Sequence, residues 1–230
     1  MVDGSFTWLE LVTPRPGNAR SFYAEVLGWR VAADRPSVSP PAVVFEDGCT
    51  PCAGLRTSGP GTPGRWRCYL NVDDLDARVD QVSRYGGAVV EPPADVAGMG
   101  RCAQVVDPQG AHLMLRGPSP AELTSTALHW HELWSPRAEQ VLGFYCEALR
   151  YAVQTMSMYA GAYHVLRNEH GGHGGVITAV TRDGEPRWLP YVRVDDCDAT
   201  VERARRCRAA IATAPRTVPS IGRIAIITDH

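Results

Sequence analysis

The chain repeats itself, and the repeat constrains its fold more than any other feature. Trp8-Leu9-Glu10-Leu11, followed by Phe22-Tyr23, returns as Trp130-His131-Glu132-Leu133 followed by Phe144-Tyr145, an offset of 122 residues both times (8 to 130, 22 to 144). The same offset relates Trp66 to Trp188, Val72-Asp73-Asp74 to Val194-Asp195-Asp196, Asp76-Ala77 to Asp198-Ala199, Gly100-Arg101 to Gly222-Arg223, and Asp107 to Asp229. Around Gly54 and Gly175 it slips to 121, which puts a one-residue length difference in the loop before Trp66 and Trp188. Two homologous halves of about 115 residues suit ordinary domain sizes. They are placed at 1–118 and 126–230, joined near Pro118 to Ser125.

Each half reads as a strand, a helix and several strands, and then that order again. In the first half, Phe6 to Val12 alternates as a strand and Arg15-Pro16-Gly17 turns into an amphipathic helix from Asn18 to Leu27. Short strands follow at Trp29 to Ala32, Ala42 to Glu46 and Cys52 to Arg56. A second unit opens with a strand at Arg67 to Val72 and a helix from Leu75 to Tyr85, started by Asp73 and Asp74, which suit helix N-caps, and stopped by Gly86-Gly87. Strands near Ala88 to Val90, Arg101 to Val106 and His112 to Leu115 complete it. The expected architecture is α+β, with four βαβββ modules.

The pattern Trp8-x-Glu10-Leu11, Phe22-Tyr23-x-x-x-Leu27-Gly28-Trp29, Val72-Asp73-Asp74 and Asp107-Pro108-x-Gly110 resembles the vicinal oxygen chelate superfamily, which unites glyoxalases, bleomycin-resistance proteins and ring-cleaving dioxygenases. The resemblance covers nearly the whole chain, twice. It implies two glyoxalase-like domains whose curved mixed sheets surround cavities. It is specific for fold and much less so for function, since members include metal-dependent enzymes and metal-free proteins that sequester drugs.

In metal-using members, His and Glu from the opening and closing strands of the modules hold the ion. By that resemblance the ligand positions fall on Trp8, Arg67 and Met114 in the first half and on Trp130 and Leu189 in the second. None of these suits a divalent metal. No cofactor is expected. One other zinc arrangement is conceivable, because Cys49-x-x-Cys52 aligns with His170-x-x-His173 at the 121 offset, but nothing in the sequence forces those hairpins together. His129 and His131 flank Trp130 and so face away from any cavity that Trp130 enters, whereas a register shifted by one residue would turn the pair inward, where it could hold a metal; His164 reads as a hydrogen-bonded wall residue. The second half stops at Asp229-His230, the counterparts of Asp107 and Pro108, so its last strand is missing and the native product is expected to continue by about 10–30 residues.

Glu10 and Glu132 lie two residues after each opening Trp, on the same strand face. Either could serve as a general base, as an acceptor for a ligand hydroxyl, or as a buried structural carboxylate. With Trp8, Arg67, Tyr69, Met114, Trp130, Tyr163 and Tyr191 they form the candidate ligand-binding set, and Trp66, Trp188, Met99, Met156 and Met158 are expected near the cavities. Such surroundings suit a flat aromatic ligand. By the resemblance this would be a polycyclic polyketide such as an anthracycline, bound for self-resistance or in support of its biosynthesis. The competing reading is a glyoxalase-like lyase, isomerase or hydroxylase with Glu10 or Glu132 as base.

Composition removes other classes. The formal net charge of −2 and the absence of a basic stripe argue against nucleic acid. All 23 basic residues are Arg, which excludes Schiff-base chemistry on lysine. Seven cysteines, an odd number, read as reduced thiols. The start Met1-Val2-Asp3-Gly4-Ser5 lacks the signature of a secretory signal, and no apolar run approaches a membrane span, so a cytoplasmic protein, monomeric or homodimeric, is expected.

Overall fold

The computed structural model describes residues 2–32, 42–119, 124–125, 127–158, 161–179, 184–219 and 221–229. Positions 120–123, in the expected join, and His230, at the expected truncation, lie outside the described residues. The elements run β1 (Phe6–Thr13), α1 (Pro16–Leu27), β2 (Arg30–Val31), β3 (Ala42–Asp47), β4 (Thr50–Thr57), β5 (Arg65–Asn71), α2 (Leu75–Arg84), β6 (Ala88–Val96), β7 (Gly100–Val106) and β8 (His112–Arg116) in the first half. The second half follows with β9 (Leu128–Ser135), α3 (Ala138–Glu147), β10 (Ala152–Met158), β11 (Gly161–Asn168), β12 (Gly171–Thr178), β13 (Arg187–Val192), α4 (Cys197–Arg206), β14 (Ala210–Val218) and β15 (Gly222–Thr228). Three modules are βαβββ. The fourth shows βαββ among the described residues.

The modules of each half pair with each other through their opening strands. β1 runs antiparallel to β5, with Trp8 opposite Tyr69 and Glu10 opposite Arg67. β9 runs antiparallel to β13, with Trp130 opposite Tyr191 and Glu132 opposite Leu189. The first half forms one eight-stranded sheet, β2-β3-β4-β1-β5-β8-β7-β6. The second forms a five-stranded sheet, β10-β11-β12-β9-β13, beside a separate β14-β15 ribbon. The difference lies at β8, which links β5 to β7 in the first half and has no equivalent between β13 and β15 among the described residues.

Local chemistry accounts for the boundaries. α1 starts at Pro16, two residues before the sequence estimate, because proline suits the first helical turn, where its missing N–H leaves nothing unpaired. It ends at Gly28 in the left-handed conformation, φ 74°. Asp74 and Asp196 cap α2 and α4, accepting from the backbone N–H of Ala77 at 3.0 Å and Ala199 at 2.9 Å. β6 continues past Val90 to Val96, through Pro92-Pro93. Prolines are tolerated there because β6 is an edge strand whose register slips between Glu91 and Ala94.

All four helices share one buried core. It contains Phe22, Tyr23 and Val26 of α1, Val79 and Val82 of α2, Val141, Phe144 and Tyr145 of α3 and Ala204 of α4. The strands add Leu9, Leu11, Leu70, Leu133, Leu166, Val176 and Trp188. The helix-bearing faces of both sheets therefore meet in the interior, and their opposite faces are left for other work. The halves are also tied by buried Arg78, which donates to Asp3, Asp73 and the Ala148 carbonyl, and by Tyr151, which donates to the Gly4 carbonyl at 2.6 Å. No described helix is long and apolar enough to cross a membrane.

Candidate functional site

Strand alternation sends Trp8 and Glu10 of β1, and Trp130, Glu132 and Trp134 of β9, to the faces opposite the helices. His131, Leu133 and Ser135 point the other way and are buried. The two faces carry the same repeat but different contents.

In the first half the face is filled. Trp8, Val44, Tyr69, Met99, Cys102 and Met114 form a buried cluster separate from the main core. Met114 of β8 stands beside Tyr69, and Met99 closes over from the turn between β6 and β7. Beneath them Glu10 is 1% exposed. Its carboxylate accepts from Arg56 Nε at 3.0 Å and Nη2 at 2.8 Å, and from the Tyr69 hydroxyl at 3.1 Å. The bond to Glu10 raises the Arg56 pKa. Burial, then the Glu10 charge, pushes the Tyr69 phenol up, so it stays a donor. Arg67 sits opposite Glu10 in the ladder but sends its guanidinium to Glu91 at 3.3 Å.

In the second half the face stays partly open. Trp130, Glu132, Trp134, Leu189 and Tyr191 are half-buried, and Tyr163 is buried. Glu132 accepts from Trp134 Nε1 at 2.7 Å, Tyr191 at 2.9 Å and Tyr163 at 3.0 Å, while Trp130 Nε1 donates to the Tyr163 oxygen at 2.9 Å. Burial and the Glu132 charge raise both phenol pKa values, so both hydroxyls remain donors. Gly175 makes this possible: a Cβ there would stand 1.9 Å from the Tyr163 oxygen.

The structure thus brings Trp130, Glu132, Tyr163 and Tyr191 together, and separately Trp8, Glu10, Tyr69 and Met114. Two participants were missed. Trp134 follows the strand alternation from Trp130 and Glu132, but its counterpart at the 122 offset is Val12, so matching the repeats passed over it. Arg56 was missed for the converse reason, since its counterpart is Ile177. Trp66 and Trp188 are corrected: they lie on the helix side, donating to Tyr23 at 3.1 Å and Tyr145 at 3.0 Å. Met156 is 40% exposed on β10.

The histidines keep the expected register. His131 is buried against Phe6, ring centroids 3.9 Å apart, beside a pocket of about 140 Å³ shared with His129, Trp130 and His173. Burial, and secondarily the His173 charge, pushes its pKa down to about 3. His164 is buried and meets Thr155 at 2.9 Å. The donor set does not fit a divalent metal at the superfamily's positions, which hold indole, guanidinium, thioether and alkyl groups. No group of three or more His, Cys, Asp or Glu able to hold a metal occurs among the described residues. Among the described residues the Cys49/Cys52 and His170/His173 pairs form no such group either.

The Glyoxalase-like domain family matches residues 8–115. The glyoxylase-named protein CFP32 of Mycobacterium bovis is 30% identical over 239 residues, spanning 98% of this chain and 91% of its own. The chain belongs to the glyoxalase-like proteins of the vicinal oxygen chelate superfamily. Within this superfamily it is also similar to the anthracycline biosynthesis protein DnrV of Streptomyces peucetius, 28% identical over 253 residues, covering 99% of this chain and 90% of that one. Among solved structures, the Mn(II)-bound glyoxalase of Novosphingobium aromaticivorans superposes with a TM-score of 0.64 at 15% identity, covering 98% of this chain and 78% of that one. The 2,2',3-trihydroxybiphenyl 1,2-dioxygenase of Sphingomonas wittichii gives 0.63 at 14% identity, covering 99% and 90%. These two likenesses concern fold alone.

Proposed function

We propose that this glyoxalase-like protein binds a planar aromatic small molecule, without a metal, on the helix-free face of its second half. The ligand class is a polycyclic polyketide of the anthracycline kind, bound for self-resistance or in support of its biosynthesis. One observation carries the reading: the carboxylate of Glu132 accepts from Trp134, Tyr163 and Tyr191, with Trp130 bonded to Tyr163 beside it, whereas its counterpart Glu10 is paired with Arg56. Aromatic rings held by hydrogen bonds present rigid stacking surfaces at little entropic cost. Relatives named for anthracycline biosynthesis support the ligand class. On this reading residues 1–118 form a largely structural domain and 126–230 the binding domain. Tryptophan fluorescence titrated with daunorubicin tests it. Saturable quenching at one ligand per chain is expected, weakened in Trp130→Phe and Trp134→Phe. Absence of saturation would overturn the reading.

A second reading is favoured by the same carboxylate. Glu132 has no cationic partner among the described residues, so it is the better placed of the two glutamates to accept a proton from a bound substrate. Product formation on incubation with candidate aromatic substrates, lost in Glu132→Gln while affinity persists, would identify an enzyme.

A further inference from the structure

We infer that the ligand of the second-half face carries a positively charged amine, which approaches the free side of Glu132 between Trp130, Trp134, Tyr163 and Tyr191. The inference rests on the binding reading above and names the chemistry of its ligand.

The two halves supply the comparison. Both β-ladders place a glutamate beside a glycine, Glu10 beside Gly54 and Glu132 beside Gly175. Two residues on, the ladders put Arg56 next to Val12 and Ile177 next to Trp134. Arg56 reaches back and neutralises Glu10 within the chain. The second half has lost that guanidinium and gained aromatic residues at neighbouring positions: Trp134 where Val12 stands, and Tyr163 at the ladder position of Ala42. The cation that the first half carries as a side chain is left for the ligand to supply.

The hydrogen bonds leave room for it. A carboxylate has about four lone-pair sites. Trp134 and Tyr191 donate to Oε1 of Glu132, while Oε2 accepts, among the described residues, from Tyr163 alone. All three donors are neutral, so they orient the carboxylate without cancelling its charge. Arg216 of β14 is exposed and its charge is felt at Tyr191, but it makes no bond to Glu132. Arg187, on the same face of β13, already has another partner. An ammonium group drawn to Oε2 would meet indole and phenol rings, whose negative faces attract cations, while a fused ring system on the same ligand stacks alongside.

The test uses two ligands that share one ring system and differ in whether the amine is charged or capped as a neutral amide, daunorubicin and its N-acetyl derivative, titrated against the full chain by tryptophan fluorescence. The amine form should bind about tenfold or more tightly, and more weakly as salt is raised. In Glu132→Gln the preference should shrink to within about threefold while the neutral ligand keeps its affinity. Equal affinity of both ligands for the native chain overturns the inference and leaves the aromatic-binding reading standing. Failure of both to saturate defeats that reading and the inference with it. The comparison on the native chain decides the matter even where the variant does not fold.

Discussion

Tyr145 of the second half donates its phenol proton to Asp107 of the first, at 3.0 Å, and Tyr23 of the first donates to Asp229 of the second, at 2.8 Å. In each pair a tryptophan, Trp188 or Trp66, donates in turn to the tyrosine oxygen. The Phe-Tyr helices and the aspartates Asp107 and Asp229 that mark the repeat in the sequence are therefore fastened to each other across the halves. Burial raises the pKa of both phenols far above its usual value and also raises that of Asp107.

Removing one lock should loosen both halves. Tyr145→Phe takes a donor from buried Asp107 and strands the Trp188 N–H, and losing hydrogen bonds of this kind costs about 1–3 kcal/mol. Urea unfolding should show a single transition at a lower midpoint. A loss below about 0.5 kcal/mol would show that this lock contributes little to holding the halves together.

The ion pair of the first half should behave as a structural element. Arg56→Ile, which installs the residue of the second half, leaves Glu10 buried without its cation and should cost about 3–5 kcal/mol. The double variant Glu10→Gln, Arg56→Ile should recover much of that loss. Daunorubicin binding at the second half should survive in the double variant. Thermal unfolding of the three proteins checks this, and an unchanged melting temperature in Arg56→Ile would refute it.

Buried His131 sets an acid limit on stability. Its folded pKa is pushed down to about 3, whereas the unfolded side chain titrates near 6.5. Between those values the unfolded chain takes up a proton that the folded chain refuses. Stability is therefore full above about pH 6.5 and falls as the pH drops toward 3, by up to about 1.4 kcal/mol per pH unit. His131→Phe keeps the stack on Phe6 and has no imidazole to protonate. Between pH 7 and pH 4.5 the native chain should lose about 2–3 kcal/mol more than the variant in urea titrations. Parallel pH profiles would place the acid sensitivity elsewhere.

The same residues show what could be read from the sequence. The 122-residue offset, the strand alternation and the Asp74 and Asp196 caps are set by near neighbours, so the modules were legible with ends shifted by a few residues. Alternation likewise put Glu132 and Trp130 on one face and His131 on the other. What escaped was the content of each face. Met99 was expected near a cavity, but that it closes over Trp8 and Tyr69 and helps fill the first-half face depends on contacts between distant segments. Arg56 and Trp134 escaped because repeat matching pairs like with like, and these are positions where the halves differ.

Those differences make Gly175 the most economical place to probe the site. A methyl group there would fall 1.9 Å from the Tyr163 oxygen and 2.4 Å from its ring carbon, so the phenol must swing away and release both Glu132 and Trp130. The obstruction is the far end of a side chain on a half-open face, so Gly175→Ala should cost no more than about 2 kcal/mol of stability. Ligand affinity should fall about tenfold or more, because the carboxylate loses a donor and the aromatic wall its anchor. Gly54→Ala is the matched control. Its added carbon would meet Glu10 and Trp8 at 3.3 Å, on the closed face of the first half, and should leave affinity within about twofold of the native chain. Calorimetric or fluorescence titration of both variants separates the two faces, and an equal loss in each would mean that the first half binds ligand as well.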